Sequence, residues 1–194
     1  MELKEMQALL QKSLPKKRFE HSLEVCKTAA ILAAAHKIDV EKAKISALLH
    51  DCGREIPSRD NLSKAKELGL VIDEVERNQP ILLHAKIGMY LAEHKYGVTD
   101  KDILEGIRYH TTGTAHMSKF AQVIYLADLL EPTRCFPGID EMRDLAKRNL
   151  DRTMIRAYAQ TIRYLLEYDL LVHPDCIAGY NELAIKFKRA KQGK

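Results

Sequence analysis

The chain has 194 residues, 46% of them hydrophobic and 30% charged, which is enough apolar material for one core and too much for disorder. Basic residues outnumber acidic ones by 31 to 27, and a net charge of +4 is too small to indicate a nucleic-acid partner. The longest apolar run, residues 29–35, is too short to span a membrane, the start Met1-Glu2-Leu3-Lys4-Glu5 is no signal peptide, and four cysteines (Cys26, Cys52, Cys135, Cys176) without C-x-x-C spacing fit a reducing cytoplasm.

The apolar periodicity is helical from end to end. Residues 16–36 place Phe19, Leu23, Cys26, Ala30 and Ala33 at intervals of three and four. Asp39 is the expected N-cap of a helix through about residue 55, stopped by Pro57. A weaker helix over 58–68 ends at Gly69, an expected C′ glycine. Pro80 opens a helix to about residue 96, closed by Gly97. Thr99 and Asp102 form an expected capping box for a helix to about His110. A polar loop over 111–117 precedes a helix over 118–130, and Pro132 and Pro137 bracket the next loop. Helices over 139–149, 151–169 and 174–190 complete the chain, with a basic tail over 186–194 read as a solvated helix end. No strand-like alternation, Gly-rich phosphate loop, repeat or linker is visible. The expected architecture is all-α, one domain over residues 1–194 with its core at about 15–185, in about eight to ten helices.

Histidines and aspartates sit on the apolar faces of these helices. His21 shares a face with Val25 and Leu32, and His84 with Ile87, Gly88 and Leu91. His110 follows Ile103 and Ile107, Asp128 lies in the apolar run 123–130, and His50-Asp51 follows Leu48-Leu49. An unpartnered buried carboxylate or imidazole costs several kcal/mol, so five helices each aiming one inward are best explained if these groups meet. Such a mixed nitrogen and oxygen set suits iron, manganese, zinc or magnesium, with imidazole favouring transition metals. Two carboxylates are too few to neutralise two ions, so the site stays positive toward phosphate. Arg18, one turn before His21, and Arg134, past the end of the Asp128 helix, could then bind phosphate oxygens.

The pattern His21, His50-Asp51 and Asp128 resembles that of HD-domain metal-dependent phosphohydrolases. Five blocks narrow the likeness: Arg18-Phe19-Glu20-His21-Ser22, Leu49-His50-Asp51-Cys52, His84-Ala85-Lys86-Ile87-Gly88, Tyr109-His110-Thr111-Thr112-Gly113 and Ala127-Asp128-Leu129-Leu130-Glu131-Pro132-Thr133-Arg134. In this order they resemble the bacterial symmetrical bis(5′-nucleosyl)-tetraphosphatases over about residues 15–185. The resemblance implies cleavage of diadenosine tetraphosphate into two ADP by attack of a metal-bound water. It implies one or two iron ions on His21, His50, Asp51 and Asp128, with Asp51, His84 and His110 in the catalytic centre. His84, His110, Thr111, Arg18 and Arg134 would face the phosphates, and His173, Tyr180 and Asn181 would help enclose the nucleotide. ADP or GDP would bind as products, neither nucleic acid nor membrane is an expected partner, and a homodimer is left open.

Simpler readings exist for single residues. A lone histidine on an apolar face is usually a core residue bonded to a carbonyl. Arg18 and Arg134 could pair with Glu20 and Glu131 at the surface, Thr111 could serve only the turn, and Glu131 could be a helix-end acid. His36, His94 and His116 read as structural, and Cys52 as a small core side chain. Alternatives for the whole chain are another HD phosphohydrolase acting on nucleoside mono- or triphosphates or a guanosine alarmone, a di-iron oxygenase, and a nucleotide-binding module without turnover.

Overall fold

The computed structural model describes residues 1–192; the last two residues of the basic tail, Gly193 and Lys194, lie outside the described residues. Among the described residues eleven α-helices follow one another: α1 (Leu3–Ser13), α2 (Lys16–Ala35), α3 (Val40–Leu49), α4 (Asn61–Glu67), α5 (Glu74–Asn78), α6 (His84–His94), α7 (Lys101–Tyr109), α8 (Lys119–Leu130), α9 (Ile139–Ala146), α10 (Leu150–Glu167) and α11 (Pro174–Gln192). Three 3₁₀ turns, Cys52–Glu55, Ser58–Asp60 and Pro80–Leu83, lie between α3 and α6, and no strand occurs among the described residues. The all-α expectation holds. The count exceeds it by α1 and the five-residue α5, which were not among the expected helices.

Helix α8 is the hub. Nine of its residues are buried, from Phe120 through Leu130, and a helix apolar all round must lie inside. Around it pack α2, α3, α7, α9 and α10. Their buried faces supply Phe19, Val25 and Leu32 from α2, Leu48 and Leu49 from α3, Ile103 and Ile107 from α7, and Met154 and Tyr158 from α10. A smaller cluster of Ala65, Leu83 and Ile87 lies under α4 and the turn before α6. Ser118 starts α8 by accepting from the Ala121 amide at 3.0 Å, a cap worth about 1 kcal/mol.

Two sequence expectations shift by a few residues. The helix expected through residue 55 stops at Leu49, and Asp51 takes φ −99°, ψ 12° before the 3₁₀ turn. The cap of α7 is Asp100, whose carboxylate accepts from the amides of Asp102 and Ile103, in place of Thr99. The break at Asp51 carries the architecture of the site. Gly53 sits against α6 so closely that a Cβ there would lie 2.1 Å from the His84 carbonyl oxygen and 2.7 Å from the Gly88 nitrogen. This backbone-to-backbone approach sets Asp51 beside His84. The Cys52 thiol seals the junction with a 3.2 Å hydrogen bond to the Gly88 carbonyl.

Candidate metal and phosphate site

Helices α2, α3, α6, α7 and α8 direct His21, His50, Asp51, His84, His110 and Asp128 to one place. His50, Asp51, His84 and His110 are buried, while His21 and Asp128 are reached from the surface. Asp51 stands in the middle: Oδ1 lies 3.3 Å from His84 Nε2 and 3.7 Å from His110 Nε2, and Oδ2 lies 3.8 Å from His50 Nε2. Asp128 Oδ1 is 3.0 Å from His21 Nε2 and 4.0 Å from His50 Nε2.

The proton positions follow from the outer partners. His50 Nδ1 lies 2.7 Å from the Ala47 carbonyl, His84 Nδ1 2.5 Å from that of Ile81, and His110 Nδ1 2.7 Å from that of Ile107. A carbonyl only accepts, so each Nδ1 carries the proton and each ring turns Nε2 inward; burial keeps His50 and His84 neutral, with a lone pair there. All three histidines immediately follow a helical turn, and each ring reaches back to the carbonyl three residues earlier. His21 lies inside α2 and has no such carbonyl. Its Nδ1 faces a carboxylate instead, Glu131 Oε1 at 3.4 Å.

The inward atoms are then left without protons between them. His21 Nε2 and His50 Nε2 are buried and have no hydrogen-bond partner, although Asp128 Oδ1 approaches His21 Nε2 at 3.0 Å. His84 Nε2 and His110 Nε2 face each other at 3.1 Å, with the Thr111 hydroxyl 3.1 and 2.9 Å away. One hydroxyl proton cannot serve both. Lone pairs packed this way call for a cation, and the donor set fits a divalent metal. Three overlapping triads have ligand atoms mutually within 4.8 Å: His21, His50 and Asp51; His50, His110 and Asp128; Asp51, His84 and His110.

Burial pushes the imidazoles toward the neutral form, His50 to about 4 and His84 to about 3. Burial alone would raise Asp51 and Asp128. The surrounding imidazoles and arginines outweigh it and hold both carboxyls well below the usual range. Both aspartates are therefore charged at neutral pH and could serve as ligands.

Two arginines border this centre. Arg18 Nη1 contacts Asp51 Oδ2 at 3.1 Å, while its expected rival Glu20 pairs with Lys16. Arg134 Nη2 contacts Asp128 Oδ1 at 2.7 Å and its Nε lies 3.6 Å from Glu131. The structure also brings in residues that sequence reasoning passed over. Arg54 Nε holds Asp51 Oδ1 at 2.6 Å; its one signal was a spacing of three residues from Asp51. Glu131, weighed as a helix-end acid, is fully buried and accepts from the Thr133 amide and hydroxyl as well as facing His21. Arg143 on α9 donates to the carbonyls of Leu130, Glu131 and Arg134, and so holds the loop that carries Arg134.

The C-terminal residues lie elsewhere. His173 Nε2 bonds Asp73 Oδ2 at 2.8 Å, and Asp73 forms a capping box with Glu76 at the start of α5. Asp73, Glu76 and His173 could also group around an ion, but Glu76 is already neutralised by Lys86 at 2.5 Å. Tyr180 and Asn181 line a groove between α10 and α11. No hydrogen bond or ion pair links these three to the histidine–aspartate centre among the described residues. His36 bonds the Ala146 carbonyl, His94 stacks on Tyr90, and His116 pairs with Glu182.

A model of the HD domain matches residues 18–133, the stretch from Arg18 to the turn after α8 that contains every member of the centre. The class is thereby defined: an HD-domain protein. The symmetrical bis(5′-nucleosyl)-tetraphosphatase of Bacillus subtilis (strain 168) is 36% identical over 186 residues, covering 94% of this chain and 98% of the relative. That of Staphylococcus aureus (strain NCTC 8325 / PS 47) is 33% identical over 192 residues, covering 93% and 95%. Among solved structures, a predicted HD superfamily hydrolase involved in NAD metabolism from Clostridium acetobutylicum superposes with a TM-score of 0.91 at 32% identity, over 96% of this chain and 98% of that one. The chain belongs to the family of the symmetrical bis(5′-nucleosyl)-tetraphosphatases within the HD domain proteins. No described helix is long and apolar enough to cross a membrane.

Proposed function

We propose that the protein hydrolyses diadenosine tetraphosphate symmetrically into two ADP at this centre. The observation that carries the reading is the convergence of four imidazole Nε2 atoms on two arginine-held carboxylates, with His21 Nε2 and His50 Nε2 buried and without a hydrogen-bond partner. Family membership supplies the substrate class, since the relatives carry that activity in their names. His21, His50, Asp51 and Asp128 hold the metal, and iron suits this imidazole-rich set. A divalent ion bound there supplies Lewis acidity toward a phosphoryl oxygen and lowers the pKa of its water.

The chain's own residues do the rest. Asp51 spans the centre, one oxygen toward His50 and the other toward His84 and His110. His84 and His110 would hold a second ion or orient the attacking water through Nε2, with the Thr111 hydroxyl beside both rings. Arg18 and Arg134 exchange one carboxylate contact for phosphate oxygens when substrate enters, so that charge is neutralised on both sides of the reacting phosphorus. Arg54 and Glu131 keep Asp51 and His21 aimed. In this reading His173, Tyr180 and Asn181 take no part.

The test is metal content and turnover measured together in His50→Ala and Asp128→Asn. Both quantities should fall in each variant. Retention of both in both variants overturns the assignment. Faster release of phosphate from a mononucleotide than of ADP from the dinucleotide would move the protein to another phosphohydrolase class.

A further inference from the structure

We propose that the apolar groove between α10 and α11 is the face on which a second copy of this chain docks, in a twofold-symmetric pair centred between Arg163 and Glu167. The inference stands apart from the catalytic reading and concerns a surface that reading does not use.

The groove holds about 830 Å³ and is lined by Ile162, Arg163, Leu166 and Glu167 of α10 and by Ile177 and Tyr180 of α11. Ile162 and Leu166 stand one helical turn apart, as do Arg163 and Glu167, so an apolar row and a charged row run side by side along α10. Leu166 is 64% exposed and Ile177 38%. Tyr168, Leu170 and Leu171, which follow α10 in the chain, are each at least 40% exposed as well. Apolar surface gathered in this way marks an association site. The area is that of an interface. The chain exposes 10471 Å², against about 9,300 Å² for a monomer of 22.1 kDa. The excess of about 1,100 Å² is of the order of the roughly 800 Å² that each partner gives to a standard interface.

Charge selects the occupant. The lining carries one base and one acid, and the side chain of neither forms a hydrogen bond or ion pair among the described residues. Arg163 precedes Glu167, the poorer order for pairing within a helix. A twofold interface must complement itself, and this pair of charges does. Two α10 helices crossing antiparallel about an axis between these positions set Arg163 of each copy against the partner's Glu167, twice over. The same crossing buries Leu166 of each copy, which the isolated chain leaves in water.

Sedimentation of the full chain at concentrations up to about 100 μM tests this, since standard-size interfaces hold at micromolar concentration or below. The expected species has twice the mass of 22.1 kDa. Leu166→Glu buries a charge at the centre of the face, and Arg163→Glu sets like charges opposite each other twice. Each should raise the dimer dissociation constant at least about 30-fold. Both replace exposed side chains, so the helix content by circular dichroism should not change. Arg163→Glu combined with Glu167→Arg restores the opposite charges and should return the constant to within about threefold of wild type. A wild type that stays monomeric throughout overturns the proposal and leaves the face to a partner of another kind. A dimer that neither Leu166→Glu nor Arg163→Glu weakens overturns it as well, because its interface then lies elsewhere. Failure of the double exchange to recover the loss seen in Arg163→Glu overturns the pairing of Arg163 with Glu167.

Discussion

Replacing Glu131 by Gln isolates the one histidine of the proposed metal site whose Nδ1 faces a carboxylate. Glu131 offers Oε1 to His21 Nδ1 at 3.4 Å and Oε2 to the Thr133 amide at 2.7 Å. Glutamine has one oxygen and must disappoint one of these. If its NH₂ faces His21, the ring's proton is forced onto Nε2 and the lone pair aimed at the metal is lost. If the NH₂ faces the Thr133 amide, two donors meet in a fully buried place, at a cost of about 1–3 kcal/mol. Loss of a partner behind a metal-bound histidine typically lowers metal affinity about 10- to 100-fold, or roughly 1.4–2.8 kcal/mol. Competition against a chelator of known affinity measures the first effect, and thermal unfolding of the chelator-treated protein measures the second. A Glu131→Gln protein with wild-type metal affinity refutes the pairing with His21. A drop in melting temperature with no change in affinity reduces Glu131 to a loop anchor.

Three further outcomes follow from the same geometry. Arg134→Ala should lower kcat/KM roughly 10- to 150-fold, the worth of a charge-assisted contact of about 1.5–3 kcal/mol, with metal content unchanged; metal loss equal to the loss of activity contradicts the phosphate role. Gly53→Ala puts a methyl 2.1 Å from the His84 carbonyl, so it should cost at least about 1–3 kcal/mol in chemical denaturation and shift His84, and a wild-type denaturation midpoint contradicts the packing account. Chelator-treated protein should lose stability as pH falls from about 6.5 toward 4. His50 and His84 have lowered folded-state values of about 4 and 3 against about 6.5 unfolded, so the unfolded chain binds more protons in that window. Each such histidine removes about 1.4 kcal/mol per pH unit, and a denaturation midpoint flat between pH 7 and 5 contradicts their burial as neutral rings.

The convergence of histidines and aspartates was legible in the sequence because burial of polar groups is costly. His21, His84, His110 and Asp128 each sit where helical periodicity demands an apolar side chain, and five helices repeating the exception can share one cost only by converging. The caps and glycine stops marked most helix ends for the same local reasons. Features set by tertiary approach were not legible. The helix through residue 55 breaks at Asp51 because Gly53 must meet the α6 backbone, a contact 31 to 35 residues away that no local pattern encodes. Glu131 and Arg54 lie three residues from Asp128 and Asp51, a spacing that any helix end can show. The placement of His173 beside Asp73, 100 residues earlier, depends on how the α10–α11 connection returns over α5, and periodicity within either element is silent on that.

The central claim is a metal-dependent, symmetrical cut of a dinucleoside tetraphosphate, and product analysis in ¹⁸O-labelled water tests it most directly. Metal-reconstituted protein is incubated with diadenosine tetraphosphate, and the nucleotides are separated and weighed by mass spectrometry. The account predicts ADP alone, one ¹⁸O for every two ADP molecules, and no product after chelation. Equimolar ATP and AMP, or product formation that survives complete removal of metal, would contradict it.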